Sequence, residues 1–98
     1  MAKYRKKLVV VHAVQFRLGD IVPVGVIPII VDPSDGRVLD VFNSDTVTHE
    51  GNIAFGIETL EGWHVVTDGD YIVTGVQGER YPVKEAIFLQ TYDLVEDE

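Results

Sequence analysis

Apolar residues recur along the chain in short runs that are rich in β-branched side chains, with Gly, Pro, Asp and Asn between the runs. Short apolar runs bounded by turn residues predict strands rather than long helices. We therefore expect a mainly β, small single-domain antiparallel sheet, either a meander or a barrel. The predicted strands are residues 8–17 as a central strand, 27–31 as an edge strand bounded by Pro28, and 38–42, 53–60, 63–66, 71–76, 81–83 and 91–95.

The segments between these runs carry specific turn signals. In residues 32–36 a Pro presets φ, Asp and Ser can bond locally, and a Gly accepts a positive φ, so a turn should join two strands there. The polar residues 43–52 predict an exposed loop. Residues 84–90 predict one or two helical turns that bury Ile87 and Phe88, and residues 96–98 predict a solvated acidic tail.

The length of 98 residues allows one core and leaves no room for a second domain, so we assign residues 1–98 to one domain. The longest nearly charge-free stretch, residues 21–31, is interrupted by Pro and Gly and is too short to span a bilayer. We expect neither a membrane segment nor a signal peptide. The absence of cysteine fits a reducing cytoplasm.

Charge is distributed unevenly along the chain. Four of the eight cationic residues lie in a basic N-terminal arm, residues 1–7, whereas residues 18–98 contain three cationic and sixteen acidic residues, a net charge of −13. General nucleic-acid binding by this acidic body is disfavoured, because it depends on clustered Lys and Arg. The acidic surface could meet a basic protein, could mimic the charge of DNA, or could simply maintain solubility.

Four stretches resemble a family of small proteins encoded by tailed phages and prophages: YRKKLVVVHAVQF at residues 4–16, TLEG at 59–62, GDYIVTGVQGERYPVK at 69–84 and IFLQTY at 87–92. The family tends to have Pro at the position of Leu8, Glu at that of His12, and Pro-Asp in place of Glu85 and Ala86. Residues 18–52 have no counterpart in it. The resemblance implies a phage source and an intracellular setting, and it carries no catalytic site.

The chain offers no convincing catalytic or metal-binding set. Ser34 and Ser44 lie outside any nucleophile-elbow context. Asp68 and Asp70 straddle a tight turn, where we expect both carboxylates to be exposed and ionised. The three histidines, His12, His49 and His64, match no local metal motif. We therefore predict a protein that is not an enzyme and that has no cofactor and no metal.

The best candidate for a ligand site is the cationic, glycine-containing stretch near the C-terminus. Its turn could expose backbone N–H groups to an anion, and its cations could contact phosphate; the candidate residues are Gly75, Gly78, Arg80, Tyr81, Lys84 and Trp63. The simpler interpretation is a hairpin turn whose Arg and Lys pair with Glu79 and Glu85. The aromatics Trp63, Tyr71, Tyr81 and Tyr92 predict either a stacking platform or ordinary core packing.

Two functions follow as hypotheses. In the first, a phage-encoded cytoplasmic accessory protein antagonises a host defence or regulatory factor, by binding a host protein or by sequestering a small phosphorylated, nucleotide-like signal. In the second, the chain is a virion component, a capsid decoration or tail accessory protein, whose basic arm docks on an acidic surface. Exposed edge strands also leave a homo-oligomer open.

Overall fold

The computed structural model of the protein describes residues 1–5, 7–42 and 51–95. These residues form two antiparallel sheets and one short C-terminal helix, as the apolar pattern predicts. The strands are β1 (His12–Gln15), β2 (Val26–Val31), β3 (Val38–Val41), β4 (Asn52–Thr59), β5 (Gly62–Val66), β6 (Tyr71–Thr74) and β7 (Arg80–Val83), and the helix is α1 (Glu85–Thr91).

The smaller sheet has the order β1-β6-β7, so β1 is an edge strand and pairs with β6 alone. The prediction of a central strand over residues 8–17 is therefore wrong in position and too long. The physical reason lies in the partner: β6 ends at Thr74, opposite His12, and its chain then turns into β7. Residues 8–11 keep the composition of a strand without a neighbouring strand to pair with in the described part of the chain.

The larger sheet has the order β3-β2-β4-β5, which makes β2 an interior strand and contradicts its prediction as an edge. Pro28 is tolerated because of where β3 ends. The Pro28 carbonyl accepts a hydrogen bond from the Phe42 amide on the β3 side, one residue beyond the last residue of β3. Since the N–H and C=O of one residue point to the same side of an antiparallel strand, the missing N–H faces a region that β3 does not flank.

The core lies between the two sheets. Its buried residues come from both sheets and the segments beside them: Phe16, Val26, Ile57, Val66 and Ile72, with Phe55 packed against them. The rings of Phe16 and Phe55 lie 5.2 Å apart in a tilted arrangement. Phe16 extends the β1 ladder, because its amide donates to the Asp70 carbonyl at 2.7 Å and its carbonyl accepts from the Gly69 amide at 2.8 Å.

The predicted turn over residues 32–36 is confirmed and joins β2 to β3. Gly36 has a φ of +76°, and the Asp32 carboxylate accepts hydrogen bonds from the Ser34 amide and hydroxyl. These bonds, the hydroxyl's first, lower the pKa of Asp32 below its ordinary value. Local hydrogen bonding by Asp and Ser therefore fixes this turn without help from distant parts of the chain.

The helix lies over the face of the smaller sheet that points away from the core. The Phe88 ring stacks on Tyr71 with centroids 4.0 Å apart, whereas Ile87, predicted to be buried, is exposed. The predicted last strand over residues 91–95 is also wrong. Thr91 still belongs to the helix, and the Tyr92 amide donates to the Phe88 carbonyl, so the helical bonding pattern continues where a strand was expected.

Two predictions lie outside the described residues: the exposed loop, of which residues 43–50 are not described, and the acidic tail at residues 96–98. Within the described ranges, no helix is long and apolar enough to cross a membrane.

Candidate functional site

Two adjoining grooves meet at Arg80, the first residue of β7, where the turn between β4 and β5 packs beside it. The volumes are about 470 and 430 Å³. Both are within the size range of small-ligand sites. Thr59, Leu60, Glu79 and Arg80 line both grooves. We call this pair of grooves the Arg80 groove.

Arg80 differs from Arg17 and from the other two cations of the acidic body in having no carboxylate partner. Arg17 pairs with Asp68 and Glu85, Arg37 with Asp32, and Lys84 with Asp70. Among the residues that the structure describes, the Arg80 guanidinium forms no ion pair and no side-chain hydrogen bond, although the residue is half-buried. Its five N–H donors are therefore available to a ligand.

The rim of the Arg80 groove is acidic. Glu79 lines both halves, Glu61 lines the half beside Tyr81, and Glu58 lines the half beside Trp63. Three carboxylates around one guanidinium repel a ligand that carries several negative charges. They leave room for a ligand with one anionic group and a larger uncharged part.

The two aromatic residues predicted for the site lie on opposite sides of Arg80. Tyr81 lines the half with Pro82 and His64, and Trp63 lines the half with Gly25 and Gly78. Of the candidate residues, the structure thus brings Arg80, Tyr81 and Trp63 together, and Gly78 lines one half of the groove. It does not bring Gly75 or Lys84 to the groove.

The turn at Gly75 and Gly78 has its own internal anion. The turn is closed by a hydrogen bond from the Gly75 amide to the Glu79 carbonyl at 2.8 Å, and Gly78 has a φ of +82°. The Glu79 carboxylate folds back over Gly75 and accepts from the Gln77 amide at 2.9 Å. The chain itself therefore places a carboxylate where the sequence suggested a phosphate, and the hairpin-turn interpretation of these glycines is confirmed.

Lys84 lies at the other end of β7 from Arg80, so the two cations do not converge on one anion. Its ammonium contacts the Asp70 carboxylate at 3.3 Å and donates to the Thr67 hydroxyl at 2.7 Å. The pairing of Lys84 with Glu85 proposed from sequence is wrong, because Glu85 instead accepts from Gln15 and pairs with Arg17. Lys84 thus serves to anchor β7 to the turn before β6.

The expectation that both Asp68 and Asp70 are exposed holds for Asp68 alone. Asp70 is buried, and its carboxylate accepts from the Thr67 amide at 2.9 Å and from the Thr67 hydroxyl at 3.1 Å. Asp68 caps the exposed Leu18 amide at 2.9 Å. Each carboxylate is committed to a backbone amide, which accounts for both acids as parts of a structural turn.

Three of the four predicted aromatics pack together beneath α1. Tyr71 stacks on Phe88, Phe88 contacts Tyr92 with centroids 5.0 Å apart, and Tyr92 is hydrogen-bonded to Tyr81. Burial first, then the bond with Tyr92 and the negative charges nearby, raise the pKa of Tyr81 above its ordinary value. Core packing therefore describes Tyr71 and Tyr92, and Trp63 lies apart from this cluster.

A larger groove, of about 630 Å³, lies between the two edge strands of the larger sheet, β3 and β5. Trp63 and His64 line one side, and Arg37 and Asp40 line the other. The guanidinium of Arg37 already pairs with Asp32 at 3.9 Å. This groove therefore lacks the unpaired cation that marks the Arg80 groove.

Within the described ranges, no group of three or more His, Asp or Glu side chains is placed to hold a metal ion. The Ser34 hydroxyl is bound to Asp32, and Ser44 and His49 lie outside the described residues.

Sequence reasoning missed the role of Glu79, which supplies the carboxylate inside the Gly75 turn. A signal was present, because an acid that directly follows a Gly-x-x-Gly turn is close enough to reach the turn amides. The Lys84 and Asp70 pair had no local signal, since it depends on how β7 docks beside the turn.

Scans with protein-family models, against curated proteins and against solved structures return no match for this chain. The site is therefore interpreted from its own residues.

Proposed function

We propose that the chain is a phage-encoded accessory protein that binds, in the Arg80 groove, a small nucleotide-like ligand with one phosphate charge, and so withholds a signal from a host defence or regulatory pathway. The observation that carries this proposal is the half-buried, unpaired guanidinium of Arg80 in a body whose other cations are paired. The phage-like stretches of the sequence supply the biological setting.

The chemistry of the groove supports this ligand class. A guanidinium presents a planar fork that matches phosphate oxygens, and charge-assisted bonds of this kind are among the strongest in proteins. Tyr81 and Trp63 on either side offer aromatic surface to a base. The acidic rim selects against triphosphates, so cyclic nucleotides, whose phosphodiesters carry one charge each, fit better.

Isothermal titration calorimetry against cyclic nucleotides, ADP-ribose and nucleoside triphosphates tests the proposal. We expect a cyclic nucleotide to bind and the triphosphates to bind weakly or not at all. Arg80→Ala should weaken binding by about tenfold or more, since a charged hydrogen bond contributes about 1.5–3 kcal/mol and tenfold corresponds to about 1.4 kcal/mol. Arg80→Lys should restore only part of the affinity, because it keeps the charge and loses the fork.

Arg37→Ala is the matched control. It removes the same charge from the same acidic body, but its side chain lines the groove between β3 and β5. We expect its affinity to equal that of the wild type. Equal losses in the Arg37 and Arg80 variants would indicate general charge attraction and would contradict a site at Arg80, as would an absence of binding across the whole panel.

A virion component is the second candidate, and the exposure of the N-terminal arm favours it. Residues 1–5 and 7–10 are exposed, and among the described residues none of residues 1–11 takes part in a side-chain hydrogen bond or ion pair. A basic arm directed away from its own body is suited to a neighbouring acidic surface. Proteomics of purified particles discriminates the candidates, because a decoration or tail protein is present in many copies per particle and a sequestering protein is absent.

A further inference from the structure

The outer edge of β1 is open and is continuous with an apolar segment. In the described part of the chain β1 pairs with β6 on one side and with nothing on the other, so a row of its backbone N–H and C=O groups is unpaired. Residues 8–11 precede it with three further valines and a leucine, and residues 8–10 are exposed. A long apolar edge of this kind is a template for pairing with another strand.

One face of β1 belongs to the core side of its sheet and is nevertheless uncovered. Val14 lies opposite Ile72 in the ladder, so both side chains point to the same face. Ile72 is 4% exposed because it packs in the core cluster with Ile57 and Val66 of the larger sheet, whereas Val14 lies outside that cluster and is 57% exposed. His12, Val10 and Leu8 follow at two-residue spacing on the same face and are exposed as well. The face of the smaller sheet that packs in the core therefore extends beyond the part that the larger sheet covers.

The two ends of this edge carry opposite charge. The cationic arm precedes β1, whereas Asp20, Asp68 and Glu85 surround its C-terminal end, where Arg17 contacts two of the three at 3.7–3.9 Å. Three carboxylates against one guanidinium leave this end negative. One chain thus has a positively charged arm at one end of the open edge and a negatively charged cluster at the other end.

We infer that a second copy of the chain pairs antiparallel with β1 through residues 8–14, which joins the two smaller sheets into one six-stranded sheet. Pairing Leu8 with Val14 of the copy keeps the same face of both sheets aligned and sets the basic arm, residues 1–7, beside residues 15–21 of the copy, where the acidic end lies. The two-fold axis repeats this contact, so each arm meets one acidic end. The pairing also covers Val10 and Val14 on the face that is continuous with the core.

The partner is a second copy because the complementarity is contained within one chain. Antiparallel self-pairing matches opposite charges at both ends, whereas a parallel pairing would set arm against arm. The arm cannot contact the acidic end of its own chain along this edge, because β1 lies between them and an extended strand rises about 3.3 Å per residue.

Sedimentation equilibrium between roughly 1 and 200 µM tests the inference by mass action. We expect the wild type to approach twice the chain mass of 10.9 kDa as concentration rises. Val11→Pro lies outside the β1–β6 ladder and should leave a monomer, because it removes a backbone donor from the open edge: the Phe16 amide and carbonyl both bond on the β6 side, so the odd-numbered residues of the strand face outward. Ile53→Lys is the control, because it changes an exposed apolar residue on β4 of the other sheet and should leave the dimer intact.

A charge exchange between two variants separates this interface from others. Lys3→Glu/Arg5→Glu/Lys7→Glu changes the side-chain charge of the arm from +4 to −2, and Asp20→Lys/Glu85→Lys changes the charge of the acidic end from −2 to +2. Each variant alone should dimerise more weakly than the wild type. An equimolar mixture should recover the dimer, because both contacts are then between opposite charges. A wild-type monomer throughout the range, a dimer that survives Val11→Pro, or a mixture that recovers no dimer would each overturn the inference.

Discussion

Lys84→Met should destabilise the fold, although the side chain is on the surface and a candidate for ligand binding by sequence. The Lys84 side chain is 62% exposed, but the Asp70 side chain that it contacts at 3.3 Å is 4% exposed. Removing the ammonium leaves a carboxylate in a position where water can replace the lost partner only in part. The loss therefore acts on the stability of the turn before β6.

The magnitude follows from the environment of the two groups. Exposed ion pairs contribute about 0.2–1 kcal/mol, and hydrogen bonds to charged groups about 1.5–3 kcal/mol. Asp70 keeps its two bonds from Thr67 in the variant, which limits the penalty. We expect a loss of about 1–2 kcal/mol, which corresponds to a fall in Tm of about 4–15 °C for a domain of this size.

Urea unfolding of Lys84→Met, Asp70→Asn and the double variant measures the coupling between the two residues directly. Arg80→Met is the matched control, since it removes a cation at the opposite end of β7 that has no ion-pair partner among the described residues. Its stability should stay within about 0.5 kcal/mol of wild type. A coupling energy near zero, or equal stability losses in the Lys84 and Arg80 variants, would refute the assignment of Lys84 as an anchor.

Two further predictions concern titration and packing. Because the pKa of Tyr81 in the folded state lies above the unfolded value of 10.0, the proton contributes stability that is complete below pH 10.0 and is lost as pH rises through the folded pKa. Spectrophotometric titration should show a late step from Tyr81, and Tyr92→Phe should move this step back towards the ordinary pKa; an unchanged late step would contradict the contact. Gly56→Ala should destabilise by about 1–3 kcal/mol in thermal unfolding, because the new methyl overlaps Ile29 and approaches the His64 carbonyl at 3.1 Å. Stability equal to the wild type would mean that Ile29 moves aside.

The turns were the part of the fold most accessible from sequence, because their chemistry is local. Asp32 and Gly36 determine one turn through bonds and backbone angles that involve only neighbouring residues. The order of the strands across a sheet, by contrast, depends on contacts between distant parts of the chain. The composition of residues 8–17 suits a central strand, yet its position depends on where β6 ends, which no property of residues 8–17 specifies.

The same distinction applies to the candidate site. Arg80, Tyr81 and Trp63 were predicted to share one surface because cations and aromatics are conspicuous in an acidic body, and all three line the Arg80 groove. The sequence placed Lys84 and Arg80 at one candidate site because they are only four positions apart, and the structure separates their side chains. Lys84 pairs with a carboxylate because the turn that carries Asp70 packs beside the end of β7, and that contact is tertiary.

The two proposed surfaces lie at opposite edges of the smaller sheet, since β1 forms one edge and β7, which carries Arg80, forms the other. A second copy added at β1 therefore leaves the Arg80 groove open in both chains. Ligand binding should then have a stoichiometry of one per chain in monomer and dimer alike. Val11→Pro should keep the affinity of the groove, and Arg80→Ala should keep the dimer. If either substitution altered both properties, the ligand would have to contact the interface between copies, and the groove at β7 would no longer account for the binding.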